Sequence, residues 1–571
     1  MSAKPARSRP LAWWKVLVWT LCISQGLVYI VTTPLWEGWD EAFHYSYIQG
    51  LSENRTLPVF GQSTLSKEIT SSFRDAPLSY GANLNLDRKY TTFEDYWKLP
   101  LEERRHREVQ LRSIPNGDRK LVPEGEFQFQ NYEAHQAPLY YALAAPIYSL
   151  FSSFDLLTRT LVLRLFSLLL GSLTIPIAFG TVRYAGSHWH VKVIPLLLVL
   201  LPLLYPTIGR IANDSLAVPL FSALVLLTLR YFARSCTTKD AIALGVVLGL
   251  GLLTKAYFLT ALPALGVIFI LACFTKQPGW RWLAHAGVIA ALALVIAGPW
   301  YMRNYALYNN LSGIQEVTRT PNVSLVDRLG AVTRVEWGSS LHAMWKQHIW
   351  IGNTSLLALS RAMYRVGYLL IFLAMLGCMR SAINWLRLPR ADKVASGRNE
   401  SIAILAIFYA FFLLGVLYHM LTNYMLLGVP DGTGGWYLYA VIVPELILLV
   451  RGLESLVGTK AAVWTNAVLI VYVLAANLVS LLCKTLPFYA GFFIPRFHLA
   501  NFLELYSPSG FRTMLVNIAK NKPDFITPNL IAVVIAACLM LMMLTLAFVV
   551  RTLCLRERVA EGRVRDLQDP Q

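Results

Sequence analysis

Apolar runs of about twenty residues recur along the chain, separated by shorter polar connectors. An α-helix rises about 1.5 Å per residue, so roughly twenty apolar residues cross the ~30 Å hydrocarbon core of a bilayer. The pattern predicts spans near 11–32, 160–183, 193–206, 215–233, 241–256, 257–275, 283–302, 363–380, 401–422, 436–452, 462–483 and 528–551. The expected fold class is therefore an all-α polytopic membrane protein with about twelve transmembrane helices, within a range of 11–13. One further apolar run, "APLYYALAAPIYSLF" (137–151), is short and contains Pro138 and Pro146. Counting it as a span would put the Arg-rich connector 380–398 outside, against the tendency of Lys and Arg to stay on the cytoplasmic side. It reads instead as a juxtamembrane helix lying in the interface.

That threading leaves both ends inside and three polar segments outside: 33–159, 303–362 and 484–527. The long first loop carries the juxtamembrane helices. The expected organisation is a membrane module over 1–310, an outer loop over 311–362, and a second membrane module over 363–571. The 484–527 segment is aromatic and amphipathic, and reads as a membrane-surface helix in preference to a platform for an acceptor. The basic start followed by an apolar run, with no small-residue cleavage site, predicts a retained signal anchor.

Composition supports the membrane reading: of 571 residues 56% are hydrophobic and 15% charged, with a mean hydropathy of +0.48. The net charge of +18 resides in short connectors and at the termini, with no basic stripe interleaved with aromatics, so no nucleic-acid partner is expected. The seven cysteines lie in or beside apolar runs and form no CxxC pair, which leaves neither a disulfide framework nor a cysteine metal site. No P-loop and no convincing GxGxxG is present, and no internal repeat recurs in matching halves.

Within this threading the unusual polar residues share the outer face. Glu37, Asp40, Glu41 and His44 follow the first span in "PLWEGWDEAFH". Glu133, His135, Gln136, Tyr140 and Tyr141 end the first loop. Arg210, Asn213 and Asp214 precede the fourth span, Lys255 sits between the fifth and sixth, and Arg303 and Asn304 follow the seventh. Asp431, Trp436, Tyr437 and Glu445 surround the entry to the tenth. Each has a bland alternative. A carboxylate at a helix start is often a dipole partner, a Lys or Arg at a span end often snorkels to headgroups, and Trp and Tyr belong to the aromatic belt. Convergence on one face favours a site. Carboxylates can deprotonate an acceptor, and Lys and Arg can hold the phosphate of a membrane-borne substrate.

The same residues resemble the fold-C (GT-C) membrane glycosyltransferases, which include the lipid A aminoarabinose transferase and the protein O-mannosyltransferases. "GWDEAFH" (38–44) looks like their first-loop acidic motif, and "HQAPLYYAL" (135–143) resembles their His-Pro-Pro-Leu-Tyr-Tyr segment with only Pro138 kept. "RLFSLLLGSLTI" (164–175) looks like their second span, and "ANDSLA" (212–217) like their second acidic motif. "PWYMRNYALYNNLSG" (299–313) is similar to a recurring Pro-Trp-Tyr-x-Arg-Asn segment. "GGWYLYAVIVPE" (434–445) departs from the usual Gly-Arg-Tyr-Leu-x-Pro, with Trp436 standing where Arg is expected. The likeness covers roughly the first 310 residues.

The resemblance implies transfer of a sugar from a polyprenyl-phosphate donor to a glycan, lipid or protein acceptor, on the extracytoplasmic side of the plasma (inner) membrane. It implies Asp40 as general base in an inverting reaction, with Glu41 beside it. Donor and substrate contacts would fall to His44, His135, Tyr140, Asn213, Asp214, Lys255, Arg303, Asn304, Trp436 and Tyr437. Asp40, Glu41, His44, His135 and Asp214 could supply ligands to Mg²⁺ or Mn²⁺; a metal-independent site, with Lys and Arg neutralising the phosphate alone, is equally open. Two other classes are a transporter or flippase for a lipid-linked glycan, and a non-catalytic GT-C-like scaffold of envelope glycan assembly. Transporters usually place ionisable groups near the midplane and show repeats; here the polar residues gather at one rim.

Overall fold

The computed structural model describes residues 9–565 except 85, 87–88, 120–128, 188, 234–235, 277, 320–322, 388–396, 429–433 and 495–497. Asp431 and part of the Arg-rich connector 380–398 therefore lie outside the described residues. Among the described residues the chain is all-α apart from one two-stranded hairpin, Ile351–Gly352 paired antiparallel with Leu357–Ala358. With no water in the bilayer core to satisfy backbone N–H and C=O groups, an apolar run has to close its own hydrogen bonds as a helix.

Among the described residues nine helices are long and apolar enough to cross a membrane, from Ala12–Thr32 to Pro528–Arg551. Three of the twelve expected spans fall on shorter elements: His190–Leu200, Thr238–Leu252, and the first part of Ile442–Leu478, which kinks at Gly458 (φ 77°). A count of twelve is thus not reached by helix length. The run at 137–151 forms Leu139–Leu150, only 12 residues long with Pro146 inside, packed against Glu41–Asn54 and Leu156–Ser172.

The first helix packs against the last, and His190–Leu200 against Ile442–Leu478, so one apolar core runs through both expected membrane modules. Small residues set the closest approach. A Cβ on Gly377 would lie 1.8 Å from the Gly452 carbonyl oxygen, so Arg361–Arg387 and Ile442–Leu478 meet backbone to backbone. A second core lies in the first loop, where Trp36, Tyr45, Phe73, Phe129, Tyr141 and Tyr148 are buried together.

The other two polar segments close over this loop. Thr354 of the hairpin donates its hydroxyl to the Glu37 carbonyl at 2.8 Å. Tyr489 donates to the Glu37 carboxylate at 2.9 Å, and Lys522 donates to the Thr33 carbonyl. The 484–527 segment is thereby tied to the start of the first loop. Asn521 of the same segment donates to the Tyr96 hydroxyl at 3.2 Å, and Asn517 to the Ala490 carbonyl within the segment at 2.9 Å.

Candidate functional site

The chain turns sharply after the first helix. Trp36 and Asp40 both take left-handed backbone conformations, φ 57° and 58°. Such a conformation costs a non-glycine residue about 1–2 kcal/mol. Asp accepts it more readily than most residues; Trp36 is held there because its Nε1–H donates to Ser72 Oγ at 2.8 Å and its ring meets the edge of Tyr45. Gly38 lies between them, where a Cβ would approach Arg210 Cβ to 2.9 Å and Glu41 Cδ to 3.2 Å.

This turn sends two consecutive carboxylates in opposite directions. Glu41 points into the bundle and accepts from Arg164 at 2.8 Å (Nε) and 2.5 Å (Nη2), and from the Ile211 backbone N–H at 3.2 Å. Its side chain is fully buried. Asp40, half-buried, accepts from the Tyr132 hydroxyl and faces a cluster of charges. Withdrawal from water raises its pKa above the usual carboxylate range; the Tyr132 hydrogen bond and the charges of Arg210 and Lys255 pull the other way.

Asp214 is the centre of that cluster. Its two oxygens accept separately from Arg210 Nη2 and Lys255 Nζ, each at 2.6 Å. Lys255 also lies 5.4 Å over the Tyr257 ring and 5.1 Å over Tyr437. Arg210 sits 5.7 Å over Trp436, which in turn stacks on Trp39 with centroids 4.7 Å apart. Asn213 spans the floor, donating to Gln136 Oε1 at 3.0 Å and the Thr254 carbonyl at 3.1 Å.

The end of the first loop supplies the opposite wall. Burial, reinforced by the charge of Asp40, pushes the Glu133 carboxyl up to about 8. His44 Nδ1 lies 2.7 Å from the Tyr141 hydroxyl and 3.8 Å from Glu133; burial and the Lys255 and Arg210 charges hold its pKa well below the ordinary value. His135 donates Nδ1–H to the Tyr132 carbonyl at 2.6 Å, and burial lowers its pKa too. Phe60 meets the His135 ring edge-on at 5.9 Å. Beside it Arg303 donates to the Pro58 carbonyl at 2.8 Å and lies 4.8 Å over Trp300.

The residues expected from the sequence therefore divide. Asp40, His44, His135, Asn213, Asp214, Lys255, Trp436 and Tyr437 form one connected neighbourhood, with Arg303 joined at its rim through the 58–60 segment. Three do not reach it. Glu41 is consumed by Arg164, the Tyr140 hydroxyl bonds Ser167 Oγ at 2.7 Å, and Asn304 is buried beneath the Leu311 and Ser312 carbonyls. Among the described residues no group of three or more His, Cys, Asp or Glu is arranged to hold a metal ion. Asp214 is doubly ion-paired and His44 and His135 are hydrogen-bonded, so the proposed Asp40, Glu41, His44, His135 and Asp214 donor set does not fit a divalent cation.

Tyr132, Tyr257 and Glu316 were not singled out in the sequence. Tyr132 stands beside Glu133, at the end of the first loop. Glu316 had no local signal; it comes in on Gln315–Arg319, and its charge acts on His135 and lies 4.0 Å from His419.

Several polar atoms in this neighbourhood are buried without a hydrogen-bond partner: Glu133 Oε2, Asn213 Oδ1, Arg210 Nε, Tyr257 Oη, Trp39 Nε1 and Arg303 Nη1. Each such atom costs about 1–3 kcal/mol unless water or a ligand satisfies it. Orphaned donors and acceptors thus gather beside paired charges, in a bundle of helices long and apolar enough to cross a membrane.

No family model and no curated protein matches the sequence. Among solved structures the chain is similar to ArnT from Cupriavidus metallidurans bound to undecaprenyl phosphate. There the identity is 14%, the match covers 95% of this chain and 77% of that one, and the TM-score is 0.45. It is also similar to the apo oligosaccharyltransferase of Archaeoglobus fulgidus, at 12% identity over 90% of this chain and 60% of that one, TM-score 0.46. A third similarity is to the S. cerevisiae protein O-mannosyltransferase Pmt1-Pmt2 complex bound to the sugar donor, at 15% identity over 54% and 38%, TM-score 0.31.

Proposed function

We propose that this protein is an integral-membrane glycosyltransferase that moves a sugar from a polyprenyl-phosphate donor to an acceptor at the loop-covered, extracytoplasmic face. The observation that carries this reading is the arrangement around Asp40: a carboxylate of raised pKa facing Arg210, Lys255 and Asp214, with unpartnered buried donors on Arg210, Tyr257, Trp39 and Arg303. The cations suit a phosphate diester oxygen, and the raised carboxylate suits a base working near neutral pH.

In this mechanism Asp40 accepts the proton of the acceptor hydroxyl as its oxygen attacks the anomeric carbon. The bond from that carbon to the phosphate oxygen breaks on the opposite face, which inverts the configuration. Arg210, Lys255 and Arg303 stabilise the charge gathering on the departing polyprenyl phosphate. Asp214 holds Arg210 and Lys255 at fixed positions, so little reorganisation accompanies the reaction. Neutral His44, His135, Asn213 and Tyr437 shape the space for the sugar. Trp436 replaces the expected Arg, and Arg210 beneath it supplies a cation in that region. Glu41 serves to position the turn through Arg164.

The test is Asp40→Asn in purified protein with a polyprenyl-phosphate sugar. Loss of the base is expected to lower turnover by about 10²–10⁴-fold, with the folding temperature and donor binding unchanged. Wild-type rates in Asp40→Asn would remove the assignment.

A further inference from the structure

Away from the charged cluster, a second cleft opens between the first and last helices. Its walls are Gln25–Thr32 on one side, Ile535–Met542 on the other, and the π-helical turn Val479–Thr485. These stretches lie within helices long and apolar enough to cross a membrane, which suits an occupant drawn from the bilayer. Yet its lining is unusually polar for that depth, with Gln25, Asn353, Asn477, Ser480 and Thr485 among the contributors. Polar groups facing hydrocarbon are costly, and a π-helical turn inside a helix often marks a functional position.

The chemistry of this lining differs from that of the Asp40 site. No Lys, Arg, Asp or Glu is among its described residues. Gln25 and Asn477 spend their amide N–H groups on the Val199 and Leu200 carbonyls, which leaves both amide oxygens as acceptors for a hydroxyl donor. A phosphate-bearing headgroup would find no cation here. A neutral, hydroxylated one would find amides and hydroxyls.

The cleft also adjoins the candidate base. Asn353 lines it, and the next residue, Thr354, lines a small cavity together with Asp40. The partition is thus one turn of the 351–358 hairpin. That turn is backbone-strained, with Asn353 at φ 42° and Leu356 at φ 53°, and is clasped by Tyr29, Tyr489 and Glu37. Thr354 Oγ1 adds hydrogen bonds to the Glu37 carbonyl and carboxylate.

We infer that the cleft between the first and last helices binds the acceptor, and that the acceptor is a neutral membrane lipid with a free hydroxyl, delivered past the Asn353–Thr354 turn to Asp40. This rests on the transferase reading for the reaction, but not for the binding. In the transfer step the lipid O–H proton passes to Asp40, the lipid oxygen bonds the anomeric carbon, and polyprenyl phosphate leaves.

Binding is tested on the full chain in phosphatidylcholine nanodiscs containing a photoactivatable diacylglycerol, with cross-linked peptides mapped by mass spectrometry. Labelling is expected to concentrate at 25–32, 477–485 and 535–542. It should fall at least about five-fold in Ser480→Phe, which fills the cleft, and in Gln25→Leu, which keeps its volume but removes the amide, both checked for unchanged thermal stability. Asp40→Asn should label as wild type, so a failed reaction does not erase the binding result. Uniform labelling of the lipid-facing surface, insensitive to both variants, would overturn the site. Stronger labelling of the cleft by a photoactivatable phosphatidylglycerol would overturn the neutral headgroup.

Discussion

Two sets of buried charges sit within a few residues of each other, and they are built differently. Glu41–Arg164 and Glu68–Arg159 are closed: Arg164 gives hydrogen bonds to Glu41, Thr33 and Pro34, and Arg159 gives them to Glu68, Tyr45, Tyr148 and Phe154. Neither pair leaves an orphaned nitrogen or oxygen. Around Asp40 and Asp214, by contrast, the carboxylates are paired while Arg210 Nε, Asn213 Oδ1, Glu133 Oε2 and Tyr257 Oη remain unpartnered. Desolvated ion pairs persist when geometry satisfies every donor. A cluster that leaves donors unused while buried is arranged for something other than its own stability. Burial and charge alone do not distinguish the two sets; hydrogen-bond satisfaction does.

The comparison is most strongly tested at its closed side. Arg164→Met leaves Glu41 buried without its counter-ion and is expected to cost about 3–5 kcal/mol, read as a large drop in the thermal unfolding temperature in detergent. A drop no larger than that of Asp40→Asn would mean that Glu41 and Asp40 do not differ in the way described.

At the open side, Glu133→Gln keeps the shape of a side chain whose Oε2 has no hydrogen-bond partner and lies 3.8 Å from His44 Nδ1. Stability should move by no more than about 1 kcal/mol. The effect should appear in the pH profile instead. Asp40 must be ionised to accept a proton, so turnover falls as pH drops through its raised pKa. Glu133, itself pushed up to about 8, gains its negative charge only as pH rises through that value, so Glu133→Gln is expected to leave the acid limb of kcat/KM in place and to change the profile only toward higher pH. A displaced acid limb would mean that Glu133 is charged where Asp40 titrates.

The smallest effect belongs to Glu37, which lies between the two types. It accepts from Ser355 N–H and Tyr489 at 2.9 Å each, and burial outweighs these bonds, moving its carboxyl from 4.5 to about 8. Because the folded pKa is raised, the stabilisation by the bound proton is full below about 4.5 and is lost as pH rises through about 8. Glu37→Gln should flatten the decline in unfolding temperature between pH 5 and 9 by a few degrees. An unchanged slope would mean that the hairpin clasp does not depend on that proton.

Much of this molecule was legible before any coordinates. Runs of twenty apolar residues have few structural options in a bilayer, so the membrane-spanning helices followed from length and hydropathy. The run at 137–151, set apart from the spans by its shortness, its two prolines and the side on which it would put the 380–398 connector, forms a helix of 12 residues, Leu139–Leu150. The chain also announced that acids after the first span, Asp214 and Lys255 share one end of the bundle. Where length was the only guide, as at His190–Leu200 and Thr238–Leu252, helices shorter than a bilayer crossing were counted as spans.

What the sequence by itself determined is the class of elements and the end of the bundle where polar residues collect, because hydropathy and helical period are local properties. Which of two adjacent acids stays available was decided only in three dimensions. Asp40 and Glu41 differ by one methylene and one position, yet Arg164, 123 residues along from Glu41, takes one and leaves the other. The same holds for Tyr140 and Asn304, whose partners come from packing that no local pattern encodes. A side chain's fate in a buried site depends on which distant donors arrive to meet it, and that is settled by how the helices and the loops above them pack.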